Sequence, residues 1–173
     1  MLSAVPVALL GAVAFLGNEV ATLVQGAQEA GHHTVIITLP GHGTTADDLI
    51  GATWQQWLDA VIDATPDRAV IVGQSMGGTL AIAAASSGVP VNGIVAINAP
   101  APDPDALDGL EWRQSRGHDW IDGPELAPGE IGYTRFPIGA LVEMAAGAMS
   151  IDASNVRCSV ALLNGALDEV VDP

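Results

Sequence analysis

The sequence predicts an α/β fold in which a mostly parallel central sheet carries helices on both faces. Two observations lead there. Five short runs rich in Val, Ile and Leu recur along the chain: "VALL" at 7–10, "TVIITL" at 34–39, "AVIV" at 69–72, "GIVAIN" at 93–98 and "SVALL" at 159–163. Each is continuously apolar rather than alternating, the pattern of a strand covered on both sides. Between the runs, apolar residues return every three or four positions, and strand alternating with helix argues for parallel strands joined by crossover helices.

Taken in order, the first strand is expected at 7–10. Val20, Leu23, Val24 and Ala27 then fall at i, i+3, i+4 and i+7, one stripe of a helix. After the strand at 34–39, Trp54, Trp57, Leu58, Val61 and Ile62 repeat that spacing more strongly, behind Thr53 as an N-cap. The strand "AVIV" leads directly into "SMGGTLAIAAASS", a small-residue helix, and "GIVAIN" follows it. From about 100 to 155 the alternation breaks. Pro, Asp and Gly crowd "APAPDPDALDG" and "DGPELAPGEIG", and one amphipathic segment, Ala140 to Met149, comes after them. Residues 1–173 therefore read as a single domain with 100–155 as a cap-like insertion over the sheet, and with no internal repeat.

Composition narrows the function classes. The net charge is −15, from 20 acids against 5 arginines and no lysine. Such a chain is poorly suited to nucleic acid, whose binding rests on neutralising phosphates. The missing lysine removes a P-loop and a Schiff-base mechanism. One cysteine, Cys158, leaves no intrachain disulfide and sits in the apolar run "CSVALL", the place of a buried structural thiol. The pair His32–His33 is adjacent rather than at i,i+4, and no other Cys/His group has metal spacing, so neither a metal nor a cofactor is expected. The apolar start "MLSAVPVALLGAVAFLG" lacks a basic n-region and falls short of the ~20 apolar residues of a spanning helix. It reads as strand and loop, with no membrane span and a cytoplasmic location expected.

The chemistry concentrates in "VGQSMGG", residues 72–78. A serine at a tight strand-to-helix turn is forced into strained backbone geometry, with its hydroxyl held out at the carboxyl edge of the sheet. Side chains two residues to either side would crowd that turn, and here Gly73 and Gly77 complete G-x-S-x-G around Ser75. The following helix presents free N–H groups at its N-terminus, which stabilise a developing oxyanion. The alternative is a Gly-rich turn with an idle serine; the apolar run before it and the helix after it favour a nucleophile.

With these residues in view, the chain resembles the α/β-hydrolase superfamily, and more narrowly bacterial carboxylesterases and monoacylglycerol lipases. "AGHHTVIITLPGHGTTADDL" resembles the family's strand and GHG loop, "TWQQWLDAV" the helix that follows, and "VGQSMGG" its nucleophile elbow. "LLNGALDEVVDP" resembles the strand end that supplies the acid. The resemblance spans most of residues 30–173. It implies the α/β-hydrolase fold, Ser75 as nucleophile, the Met76 N–H as one oxyanion donor and Asp168 as acid. Glu169 and Asp172 are the near competitors of Asp168. The second oxyanion donor of the family follows a His-Gly pair, but aligning "FLGN" puts Val13-Ala14 there and makes Phe15 the donor, with a register ending at Val13 as the alternative. The implied substrate is a small apolar ester, a short- to medium-chain ester or a monoacylglycerol. Leu141, Met144 and Met149 are available either to line its cleft or to bury the insertion's own helix.

The family's base is a histidine that follows the acid by roughly thirty residues, in the chain order Ser, Asp, His. The resemblance therefore places the base, with the last strand and helix, outside residues 1–173. Of the four histidines present, His32 and His33 read as surface residues before a strand, His42 as a loop-shaping residue, and His118 as a chance placement in the insertion, with a substitute-base role the lesser alternative for His42 and His118. A triad without its histidine loses on the order of 10⁶ in turnover. Without the last strand, a sheet edge and a helix-docking face are left bare, a surface that pairing with another copy would cover. Three functions follow: a serine ester hydrolase acting through an acyl-enzyme, inactive where the base is missing; a non-catalytic module of the same fold that binds a ligand or partner; and an acyltransferase or thioesterase using the same serine. Dehalogenase and epoxide-hydrolase chemistry is disfavoured, since those relatives carry aspartate where Ser75 stands.

Overall fold

The computed structural model describes residues 5–11, 18–123, 125–126 and 132–166. In chain order the elements are β1 (Val7–Gly11), α1 (Asn18–Glu29), β2 (Thr34–Ile37), α2 (Trp54–Ala64), β3 (Val70–Gln74), α3 (Met76–Ser86), β4 (Gly93–Ile97), α4 (Pro104–Ser115), β5 (Trp120–Asp122), β6 (Arg135–Pro137), α5 (Ile138–Met149) and β7 (Ser159–Leu163). Five strands form one sheet in the order β2-β1-β3-β4-β7, every pair parallel. The chain steps from β1 one way to β2, then back across β1 to β3 and onward to β4. Right-handed crossovers then put α1 on one face and α2 and α3 together on the other. The continuous apolar runs thus become parallel strands, as expected.

The register decides where the chemistry goes. Gly11 pairs with Gln74, Gln74 with Ile97, and Ile97 with Leu163, so four strands end level at one carboxyl edge. Each following segment leaves from that edge, including the one that begins at Ser75. This is where open α/β sheets place their ligands.

Helix boundaries follow local chemistry. Thr53 and Gln56 form a reciprocal capping box at the start of α2: the Thr53 hydroxyl accepts from Gln56 N at 3.3 Å and the Gln56 carboxamide from Thr53 N at 3.0 Å. The inner stripe of α2, Trp54, Trp57, Leu58 and Val61, is buried. α3 is buried nearly all round, and its Gly and Ala residues allow it to lie close on β3 and β4. The largest fully buried side chains, Trp57, Leu39, Ile71, Leu80, Ile138 and Val61, fill the space between sheet and helices.

Residues 100–155 hold more structure than their Pro, Asp and Gly content suggests. α4 begins inside "PDPDAL", with Asp103 Oδ1 accepting from Asp105 N at 2.9 Å and Ala106 N at 3.0 Å and Pro104 in the first turn. Those residues are helix-start signals as much as turn signals. β5 and β6 pair antiparallel into a short ribbon, and α5 begins at Ile138 rather than Ala140. α5 packs against α2, α3 and α4, and Trp54 and Gly147 fit so closely that a Cβ at position 147 would overlap the indole ring. Met144 packs against the main core, Leu141 is half-buried and Met149 is exposed.

Two expectations need correction. Leu23, placed on the inner stripe of α1, is exposed. All five residues of β7 are exposed, Leu162 to 63%, although a continuous apolar run suits a strand covered on both faces. Among the described residues it pairs with β4 alone. Cys158, just before it, is half-buried against the core rather than fully enclosed.

Candidate active site

Ser75 stands between β3 and α3 with φ 51° and ψ −131°, a left-handed conformation that costs a non-glycine residue about 1–3 kcal/mol. The strain is held from two sides. Its N–H donates to Ile97 O at 2.8 Å, and its carbonyl accepts from Gly78 N at 2.9 Å, opening α3. The hydroxyl makes no cap bond to the helix, and the residue is half-buried. Met76 is the first residue of α3, so its N–H is among the four amides a helix cannot satisfy internally.

The glycines explain why the turn closes. A Cβ on Gly73 would collide with the Gly77 carbonyl and stand 2.6 Å from Gly78 N. Gly78, outside the G-x-S-x-G pattern, is constrained less tightly: its Cβ would lie 2.8 Å from the Ala99 Cβ and 3.1 Å from that of Ala96. The third glycine sets how closely α3 approaches the end of β4, and its adjacency to Gly77 was the available signal.

Sequence reasoning also missed Asn98. It follows β4 with φ 46°, donates its N–H to Leu163 O at 2.8 Å, and accepts from Gly165 N at its Oδ1, also at 2.8 Å. Asn at the end of "GIVAIN" is the signal, because Asn is among the few side chains that enter the left-handed region readily.

The loop after β2 is pinned from both sides. Trp57 Nε1 donates to Pro40 O at 2.9 Å, while the buried Tyr133 donates its hydroxyl to Gly41 O at 3.1 Å and accepts from Thr44 N at 3.3 Å. Arg135 extends the second attachment, pairing with Asp47 at 2.9 Å and lying over the Trp120 ring at 4.1 Å. His42 sits in this loop with Nδ1 3.2 Å from Pro40 O and its ring edge-on to Trp57 at 5.8 Å. Burial holds its pKa below the usual 6.5, against an opposing contribution from the bond to Pro40.

Of the residues picked out for catalysis, Ser75 and Met76 lie together at the carboxyl edge of the sheet. Phe15, with Val13 and Ala14, and Asp168, with Glu169 and Asp172, lie outside the described residues. His32 is at the opposite edge, where its Nδ1 meets Val5 O at 3.1 Å, and His33 adjoins it through its carbonyl, which accepts from Val7 N at 2.8 Å. His118 is exposed in the turn between α4 and β5. Among the described residues no group of His, Cys, Asp and Glu is arranged to hold a metal ion, and no helix is long and apolar enough to cross a membrane.

Comparison with known proteins agrees with this geometry. The sequence profile of the alpha/beta hydrolase family matches residues 10–167. A thermostable monoacylglycerol lipase of Bacillus sp. (strain H-257) is 27% identical over 155 residues, covering 81% of this chain; the chain spans 61% of that relative's length. A structure from work on the metagenome-derived lipolytic enzymes LipS and LipT superposes with a TM-score of 0.80 at 25% identity, over 99% of this chain and 76% of the other. The monoacylglycerol lipase of Paleococcus ferrophilus shares the fold, with a TM-score of 0.69 at 16% identity over 98% and 78% of the two chains. The level strand ends, the strained serine and these likenesses converge: the chain belongs to the alpha/beta hydrolase family, among lipase- and esterase-like relatives.

Proposed function

We propose that this chain is a serine ester hydrolase of the carboxylesterase or monoacylglycerol lipase kind, working through an acyl-enzyme on Ser75. The observation that carries the reading is the left-handed backbone of Ser75 at the carboxyl edge of a parallel sheet, directly before a helix N-terminus. Nothing in the fold requires a serine there; glycine would occupy the same φ without strain. A hydroxyl kept at that cost is best explained by its chemistry.

In the proposed reaction Ser75 Oγ attacks the ester carbonyl while its proton passes to a base. The oxyanion is held by the Met76 N–H and a second donor at Phe15. Collapse of the intermediate expels the alcohol, leaving the acyl group on Ser75, and water completes hydrolysis. Asp168 is the proposed acid that orients the base. The base is expected to follow Asp168 in the Ser, acid, His order. Residues 100–155 are the proposed cap, with a small apolar ester as substrate. The monoacylglycerol lipase and lipolytic relatives support that substrate class.

The test is labelling with a fluorophosphonate probe alongside turnover of p-nitrophenyl esters. A working hydrolase labels at Ser75, loses the label in Ser75→Ala and turns over esters. If residues 1–173 act without a histidine after Asp168, turnover is expected about 10⁶-fold below that of a complete triad. Fatty-acid binding with neither labelling nor turnover in the complete gene product would replace this reading with that of a binding module.

A further inference from the structure

We propose that Asn98 is a positioning residue for this site, holding the start of the acid-bearing segment in register with the nucleophile. The inference rests on the serine-hydrolase reading above and adds a residue to it. Ser75 N is anchored on Ile97 O at 2.8 Å. The next residue, Asn98, holds the far side: its N–H meets Leu163 O and its Oδ1 accepts from Gly165 N, both at 2.8 Å. Gly165 precedes Asp168 by three positions in the sequence. One peptide unit, 97–98, therefore ties the nucleophile's backbone to the segment that leads to the acid.

The conformation of Asn98 supports a dedicated role. Its φ of 46° makes it one of three non-glycine residues in the left-handed region among the described residues, with Arg68 and Ser75. Two of the three thus stand at the ends of this bridge. The turn brings the Asn98 carboxamide back toward β7, where the ladder with β4 has ended and Gly165 N needs a new acceptor. Asparagine fits both demands: its side chain tolerates the left-handed region, and its carboxamide oxygen is short enough to replace a ladder carbonyl. Glycine would meet only the first.

That difference makes the test. Asn98→Gly keeps the backbone conformation and removes the acceptor; Asn98→Asp keeps both. In the full chain, kcat and KM for a p-nitrophenyl ester are measured together with amide exchange at Gly165. Asn98→Gly is expected to expose the Gly165 amide to exchange and to lower kcat about 10- to 100-fold, the cost of misplacing a catalytic group by about an ångström, with KM unchanged. Asn98→Asp is expected to restore both readouts. Unchanged kcat in Asn98→Gly while the wild type labels and turns over overturns the positioning role alone. So does a loss in Asn98→Gly that Asn98→Asp fails to restore, or a change in KM as large as that in kcat. A wild-type chain that neither labels at Ser75 nor turns over ester overturns the hydrolase reading, and the positioning role with it.

Discussion

The amide of Ser75 donates to the carbonyl of Ile97 at 2.8 Å, one residue beyond the last paired position of β3 and β4. The sheet ladder therefore continues into the residue that must turn away from it. Ser75 cannot relax to an ordinary φ without losing this bond and the start of α3, whose first turn closes on its own carbonyl. The strain is over-determined by its surroundings, the condition under which such conformations persist at functional sites.

If strain is the cost of keeping a hydroxyl at this turn, Ser75→Gly should make the protein more stable. Glycine adopts φ 51° freely, and relief of the strain outweighs the entropy glycine brings to the unfolded chain. The expected gain is about 1 kcal/mol, read as a higher denaturant midpoint at constant slope. Labelling by a fluorophosphonate should vanish in the same variant. A destabilised Ser75→Gly would show that the serine side chain supports the fold.

The glycines should rank in the opposite direction. Gly73→Ala drives a methyl into the Gly77 carbonyl, backbone against backbone, where no side chain can yield. A loss of about 3 kcal/mol is expected, at the upper end for overpacking. Gly78→Ala meets mainly the methyl groups of Ala96 and Ala99 and should cost less. Urea unfolding of the two variants decides the ranking.

Much of this architecture was legible in the sequence because the signals were redundant. The strand "AVIV", the glycines of "VGQSMGG" and the small-residue helix each pointed to the same turn, and the structure places Ser75 there. The capping box of α2 was half-visible at Thr53, its partner Gln56 unremarked. Residues 100–155 were read less well, because Pro and Asp serve helix starts and loops alike and only the tertiary partner decides. α4 has no buried residue to announce it by periodicity. Asn98 escaped notice for another reason: its role depends on Gly165, 67 residues away, and no local pattern encodes that pairing.

Tyr133 ties residues 100–155 to the loop that follows β2. Its hydroxyl bridges Gly41 O and Thr44 N, closing the loop that follows β2. Tyr133→Phe keeps the ring and its edge contact with Phe136 but leaves both backbone groups without this partner. A loss of about 1 kcal/mol is expected. Amide exchange at Thr44 should rise while exchange at Ile71 and Leu80, deep in the core, changes only by the global amount. Equal protection at Thr44 in both proteins would show the bridge to be dispensable.

His42 gives the chain a pH dependence whose sign follows from its burial. Because burial dominates and holds the folded-state pKa below 6.5, the folded protein binds this proton less readily than the unfolded chain does. The contribution to stability is therefore fully present above 6.5 and declines as pH falls from there through the folded-state pKa. The expected outcome is a fall in unfolding free energy between about pH 8 and pH 5 that is smaller in His42→Gln, a comparison made above the range where most carboxylates titrate. Thermal or urea unfolding of both proteins across that interval measures the difference. Parallel curves would mean that His42 is solvated in solution and that Trp57 alone shapes the loop through its bond to Pro40.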